Sequence, residues 1–336
     1  VVSCCEGNRK AMLVHWAPKT SAEKGYDAAV YLDPDKWTTE ALPESDGRMQ
    51  WMFCIPMQVD GRRGVDLVAG GKNGGAEIGW FESPDDPRDL KAWRWHPLAS
   101  AGWIMTITAC DMDRDGDDDI LYTDRKGRTR GVRWLENPGV DAVRSDAEWV
   151  NHLVGGSERE NMFLKVADLD GDGLDDLVLA VKKFGADYYR RLPNAELSAA
   201  GEPKSDHVSP QWQQRVIPMP ENMGGEKAVA VGDLNLDGRA DLVFDCEGAD
   251  KGRSGCAWIE FTGPALPGIP AGNDSTDAAA MIRHEVSGPV GIKYDRIELL
   301  DLDGDGDLDI LTCEERENID GKSGGLGVFW YENPTK

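Results

Sequence analysis

A nine-residue acidic loop recurs along this chain, each time between two apolar stretches. It reads D-M-D-R-D-G-D-D-D at Asp111–Asp119, D-L-D-G-D-G-L-D-D at Asp168–Asp176, D-L-N-L-D-G-R-A-D at Asp233–Asp241 and D-L-D-G-D-G-D-L-D at Asp301–Asp309. A fifth copy, Q-V-D-G-R-R-G-V-D at Gln58–Asp66, has lost acids at positions 1 and 5 and the glycine at position 6. The ninth-position aspartates fall at Asp66, Asp119, Asp176, Asp241 and Asp309, a period of 53 to 68 residues. Such a period leaves few folds open, because each copy must bury its apolar face against its neighbours. Short strands separated by turn residues at this period fit the four-stranded blades of an all-β propeller.

Each loop sits in a longer unit. An outer strand comes first, often W-x-x-H followed by apolar residues, then a short link, an apolar strand, the loop and a second apolar strand. A variable turn leads to a closing strand. The closers read W-F-E-S-P, W-L-E-N-P, Y-R-R-L-P, W-I-E-F-T-G-P and W-Y-E-N-P. The units run Lys36–Pro84, Trp93–Pro138, Trp149–Pro193, Trp212–Pro264 and Met281–Pro334. Residues 1–18 read as the last half of a further unit. A propeller closes its ring to avoid bare strand edges. The expectation is therefore one propeller of six or seven four-stranded blades over residues 1–336, with sequence missing upstream. Asn194–Pro210 and Thr262–Ala280 break the rhythm and read as surface loops.

Oxygen ligands at positions 1, 3, 5 and 9 of a tight loop suit a hard cation, calcium before magnesium. Four structural ions are expected. The first would be held by Asp111, Asp113, Asp115 and Asp119, the second by Asp168, Asp170, Asp172 and Asp176. The third would take Asp233, Asn235, Asp237 and Asp241, the fourth Asp301, Asp303, Asp305 and Asp309, each with a position-7 carbonyl. The flanks read as strands and position 12 carries no glutamate, so these are not helix-flanked calcium loops. The Gln58–Asp66 copy is expected to hold no ion, with Arg62 neutralising Asp60 or Asp66.

The formal charge is −24, which four divalent ions would bring to about −16. That sign argues against nucleic acid as the main partner. No apolar run is long enough for a transmembrane helix, so no membrane insertion is expected. The seven cysteines show no metal-ligand spacing, and their disulfide state stays open.

The loop and closer motifs resemble the FG-GAP/VCBS-type calcium-binding propeller repeats, over nearly the whole chain. The resemblance implies a secreted, cell-surface or periplasmic setting and a carbohydrate or protein ligand. A looser likeness, to the propeller part of the aldos-2-ulose dehydratases, implies a sugar-acting lyase as the alternative. No catalytic residue carries over from it.

Blade topology puts the metal loops at one end of the strands and the remaining turns at the other. Six residues past each ninth aspartate lie Lys72, Arg125, Lys182, Glu247 and Glu315, with Glu6 as the sixth member. The links into the first strands differ from unit to unit: Arg48, Gln50 and Trp51; Trp103; Arg159, Glu160 and Asn161; Glu226 and Lys227; Lys293, Tyr294, Asp295 and Arg296. Residues that differ between like repeats are where a shared scaffold is specialised. Trp51 and Trp103 are expected to stack on a sugar ring, with Arg and Glu bonding its hydroxyls. His96, His152 and His284 share one repeat position and read as structural. Oligomeric state is not legible.

Overall fold

The computed structural model describes residues 1–5, 7–18, 28–193, 210–249, 251–262, 280–289, 293–315 and 327–336. Glu6, His207 and nearly all of the two long loops lie outside the described residues. The chain divides into two compact units, Val1–Glu158 and Arg159–Lys336, each built of three propeller-type blades. The fold is all-β. Among the described residues helix is confined to two single turns, α1 (Ala28–Leu32) and α2 (Val140–Val143), and a few 3-10 turns.

In the first unit one blade has β1 (Val2–Cys4), β2 (Met12–Trp16) and β3 (Thr38–Ala41). The next has β4 (Gln50–Met57), β5 (Asp66–Lys72), β6 (Glu77–Glu82) and β7 (Arg94–Ser100). The third has β8 (Ile104–Cys110), β9 (Asp119–Asp124), β10 (Gly131–Glu136) and β11 (Val150–Gly155). In the second unit β12 (Asn161–Ala167), β13 (Asp176–Val181), β14 (Gly185–Arg191) and β15 (Trp212–Ile217) form a blade. So do β16 (Gly225–Gly232), β17 (Asp241–Glu247), β18 (Cys256–Thr262) and β19 (Ala280–Glu285). The last described sheet has β20 (Tyr294–Leu300), β21 (Asp309–Glu314) and β22 (Gly327–Tyr331). Every strand pairing among the described residues is antiparallel.

The sheets are cut one strand out of phase with the sequence units. The outer strand that opens a unit hydrogen-bonds to the closing strand of the unit before it, as β7 does to β6. The physical reason is chain proximity: closer and outer strand are sequence neighbours and fold back as an antiparallel pair. That pairing assembles a recurring latch. Trp80 stacks on His96 at 4.5 Å, Trp134 on His152 at 4.2 Å and Trp258 on His284 at 3.9 Å between ring centroids. Each histidine Nε2 also meets the closer's glutamate: Glu82 at 3.2 Å, Glu136 at 2.6 Å and Glu260 at 2.9 Å. The three histidines are thus structural, as their spacing implies.

Two of the second strands, DILYTD and DLVLAV, are buried along their whole length. A strand covered on both faces needs such a continuous apolar run. The first unit's core gathers Val68, Ile78, Trp80, Ile104, Ile120, Tyr122 and Leu135 in one cluster, and Met12, Leu42, Trp51, Phe81 and Trp95 in another. Five of the first strands begin with a register shift, near Phe53, Thr106, Leu164, Ala228 and Ile297. Bulges re-aim the side chains beside them, and all five lie at the end of the blade away from the acidic loops.

Candidate functional site

The acidic loops join first to second strands, and their ninth-position aspartate has a job that the ligand pattern hides. In four copies its two oxygens accept one backbone N–H from loop position 2 and one from the closing motif. Val59 and Ser83 donate to Asp66, Met112 and Asn137 to Asp119, Leu169 and Arg191 to Asp176, and Leu302 and Asn333 to Asp309, at 2.8–3.2 Å. Leu234 donates to Asp241 in the same way. This buried carboxylate clips the loop to the end of its blade. It also explains why the degraded copy, which lost other acids, still carries Asp66.

Three loops bring carboxylate oxygens close enough for one cation: Asp111, Asp113 and Asp115; Asp168, Asp170 and Asp176; Asp301, Asp303 and Asp309. In each set the candidate ligand atoms lie within 4.8 Å of one another. The residues fit a hard cation on a further count. Oδ1 of Asp111, Asp117 and Asp307 is buried with no hydrogen-bond partner, a costly state that a cation relieves. Burial, reinforced by neighbouring aspartates, pushes the Asp119 carboxyl up to about 7 and Asp117 up to about 6. Asp119, Asp172 and Asp305 lie outside these triads. Asp172 and Asp170 both bond the Arg190 guanidinium. The Asp233–Asp241 loop assembles no such triad. Its Asp237 turns to Arg239 at 2.6 Å, which holds the Asp237 carboxyl below its usual range.

The Gln58–Asp66 loop is closed by its own side chains. Gln58 Nε2 donates to the carbonyls of Arg62 at 3.2 Å and Gly64 at 2.7 Å, while Gln58 Oε1 accepts the Gly61 N–H at 3.0 Å. Gly64 is position 7, whose carbonyl a bound cation would otherwise take. Arg144, from the turn after α2, donates Nε to the Asp60 carbonyl at 2.8 Å and Nη2 to that of Gly61 at 3.2 Å. The expected neutralisation by Arg62 is corrected here: Arg62 reaches Asp60 Oδ1 through its backbone N–H at 2.8 Å, not its guanidinium. The neighbouring Arg63 pairs instead with Glu82 and Asp85.

At the other end of the blades, which we call the link end, the first unit gathers cations on one ring. Lys72 Nζ lies 4.6 Å from the Trp103 ring centroid, Lys126 Nζ 4.6 Å and Arg125 Cζ 5.0 Å. A β-bridge joins Lys72 to Trp103, the Arg125 N–H bonds the Trp103 carbonyl at 2.8 Å, and the Asn73 N–H bonds the Gly102 carbonyl at 2.8 Å. Asp124, fully buried, accepts the N–H groups of Gly102, Trp103 and Lys126 and the Thr129 hydroxyl. Gly102 is needed for this packing, since a Cβ there would sit 1.7 Å from the Lys126 carbonyl oxygen. Trp103 Nε1 is buried and has no hydrogen-bond partner.

Trp51 does not join this cluster. It is fully buried against Phe81 and Trp95 and donates Nε1 to the Ser45 carbonyl at 3.0 Å. The stacking role expected of it is replaced by a core role, because the bulge at the start of β4 turns its ring inward.

In the second unit the link-end charges answer one another. Lys182 pairs with Glu247, and Lys227 reaches Glu247 at 3.7 Å and Asp295 at 2.6 Å. Lys293 pairs with Glu315 at 2.8 Å. Arg159 is bound to the buried Asp187 at 2.6 Å and lies over Phe184. Tyr294 is buried, and its hydroxyl bonds that of Tyr331 at 2.8 Å. Burial raises the Tyr294 phenol above its ordinary pKa. Arg296 bonds Glu298, which Lys165 also reaches.

Of the link-end residues singled out in the sequence, the structure brings Lys72, Trp103 and Arg125 together; the sequence did not single out Lys126, Arg144, Lys227's two-acid pairing or the ninth-aspartate clip. Lys126 had a signal, being the next cation in the same turn. Arg144 had none, since it is 84 residues from Asp60. A cavity of about 330 Å³ lies elsewhere, at the blade rim between the Trp80–His96 latch and Trp149. No helix among the described residues is long and apolar enough to cross a membrane. Set against protein-family models and against curated proteins, the chain matches none. The repeat resemblance therefore rests on the loops, the closers and the blades.

Proposed function

We propose that this chain is a calcium-stabilised propeller module that binds a glycan or a protein ligand outside the cell, using the link end of its blades. The carrying observation is a division of labour along the strands. One end repeats a carboxylate loop with partnerless buried oxygens. The other presents a different polar set in each of five blades, beside a bulge. Exposed loops of this kind suit the sub-millimolar to millimolar calcium affinities of extracellular modules, which supports a secreted, periplasmic or cell-surface setting. The ions would act as fasteners. Asp111, Asp113, Asp115, Asp168, Asp170, Asp176, Asp301, Asp303 and Asp309 would hold them, and calcium supplies the positive charge these turns need.

A sugar-acting lyase at the same end would need a base. Tyr294 is a poor one, with a buried, hydrogen-bonded phenol of raised pKa, and Lys182, Lys227 and Lys293 are engaged by carboxylates. Binding is the reading the geometry supports better.

Chelation is the direct test. Removing calcium should lower Tm markedly, since an ion at 100 times its Kd contributes about 2.7 kcal/mol per site. An unchanged Tm in calcium-free protein would remove the structural-ion half of the proposal. A glycan-array screen of the calcium-loaded protein tests the ligand half.

A further inference from the structure

The cavity at the blade rim is left unassigned by both the acidic loops and the link end. We propose that it binds an organic cation, an ammonium or guanidinium group carried on an apolar stem. None of its residues belongs to the link end or to the acidic loops.

The cavity, of about 330 Å³, lies in the first unit where β6 and β7 face the segment that leads from α2 to β11. Its lining is chiefly aromatic, made by the Trp80–His96 stack and by Trp149, with both indoles buried. Leu98 and Val143 add apolar wall. Asp146 and Glu148 line it as well, and both are exposed to solvent. The void and its aromatic lining make the site, which has the size and apolar character of a small-ligand pocket. The two carboxylates set the sign of what it takes. Aromatic faces and carboxylates both attract a cation, whereas an anion is repelled by each.

The turn that carries the two acids is held in place. The Asp146 N–H bonds the Val143 carbonyl at 3.1 Å and the Ala147 N–H bonds the Ala142 carbonyl at 3.0 Å. Asp146 itself takes the left-handed conformation at φ +56°. Arg144, the only cation between Gly139 and Trp149, is spent on Asp141 and on the carbonyls of Asp60 and Gly61. Glu82, beside the latch, is shared by His96 and Arg63. The Asp146 and Glu148 carboxylates make no hydrogen bond or ion pair among the described residues. An apolar stem laid along the indoles with its charged head at these carboxylates is how lysine and arginine side chains cover apolar surface. A formal charge of −24 draws cations toward the chain.

The test is titration of the calcium-loaded full chain, read by calorimetry and tryptophan fluorescence, with n-pentylammonium, 1-pentanol, pentanoate and the capped tripeptides Gly-Lys-Gly, Gly-Arg-Gly and Gly-norleucine-Gly. The amine should bind about tenfold or more tighter than the alcohol or the acid, and a basic peptide tighter than the norleucine one by a similar factor. Both affinities should fall as salt rises from about 50 to 200 mM. A basic peptide that binds as tightly as the amine or tighter assigns the cation to a partner's side chain; tighter binding of the amine assigns it to a free amine. D146N/E148Q should cost about tenfold with Tm unchanged, since asparagine is also tolerated at a left-handed position. The alcohol binding as tightly as the amine would overturn the charge assignment. Wild-type affinity in D146N/E148Q would place the cation elsewhere and overturn the site. So would the failure of every cation to bind at about 10 mM.

Discussion

The Gln58–Asp66 and Asp168–Asp176 loops occupy the same place in their blades and solve the same problem with different materials. Both must draw a tight turn together at the end of two buried strands. The second does so with carboxylates that converge on a point, one of which, Asp170, also bonds the Arg190 guanidinium, as does Asp172. The first does so with a side-chain amide on the position-7 carbonyl and a guanidinium on two more carbonyls, which asks for nothing. The link end repeats the contrast, with lysines facing acids in one unit and cations gathered on an indole in the other.

The largest effects should come from the feature the two loops share. Asp176→Ala and Asp66→Ala each strand two backbone N–H donors. A buried donor left unsatisfied costs about 1–3 kcal/mol, so each variant should lose several kcal/mol in denaturant unfolding. Only Asp176→Ala should also reduce the calcium-dependent part of the stability. Equal calcium sensitivity in the two variants would break the comparison.

Next is a pH effect seen only without calcium. Burial lifts the Asp119 carboxyl to about 7, above an unfolded value near 4. A raised folded pKa favours the protonated, folded state, so this stability is fully present below about pH 4 and lost as pH rises through about 7. The denaturation midpoint of chelated protein should therefore fall across that window. Calcium, by holding the carboxylates charged, should flatten the slope. A slope unaffected by calcium would assign it to groups outside the loops, such as the fully buried Asp245, whose carboxyl burial also lifts to about 7.

The smallest effect should follow from Gln58→Ala. It removes three hydrogen bonds of the self-closed loop, partly replaced by water at this exposed turn, and should cost about 1–2 kcal/mol. The loss should be the same with and without calcium.

The repeat, the all-β blades, the acidic loops and the structural histidines were legible because each depends on local sequence. A period-2 or continuous apolar run fixes a strand. A glycine and acids at set offsets fix a turn. A tryptophan and a histidine at matched positions fix a latch. Lys72, Trp103 and Arg125, which the structure places side by side, could be singled out for the same reason, as departures from the repeat. Trp51 was not, because whether a bulged residue points inward depends on the strands packed against it. Nor were Arg144 over the Asp60 carbonyl, the phase shift of the blades, or the pairing of Lys182 and Lys227 with acids of neighbouring blades. Sequence alone determined what each segment is, since backbone propensity and hydrophobic pattern act over a few residues. Only the tertiary structure decided which charges meet, because Coulomb and hydrogen-bond energies depend on distances in space between residues tens of positions apart.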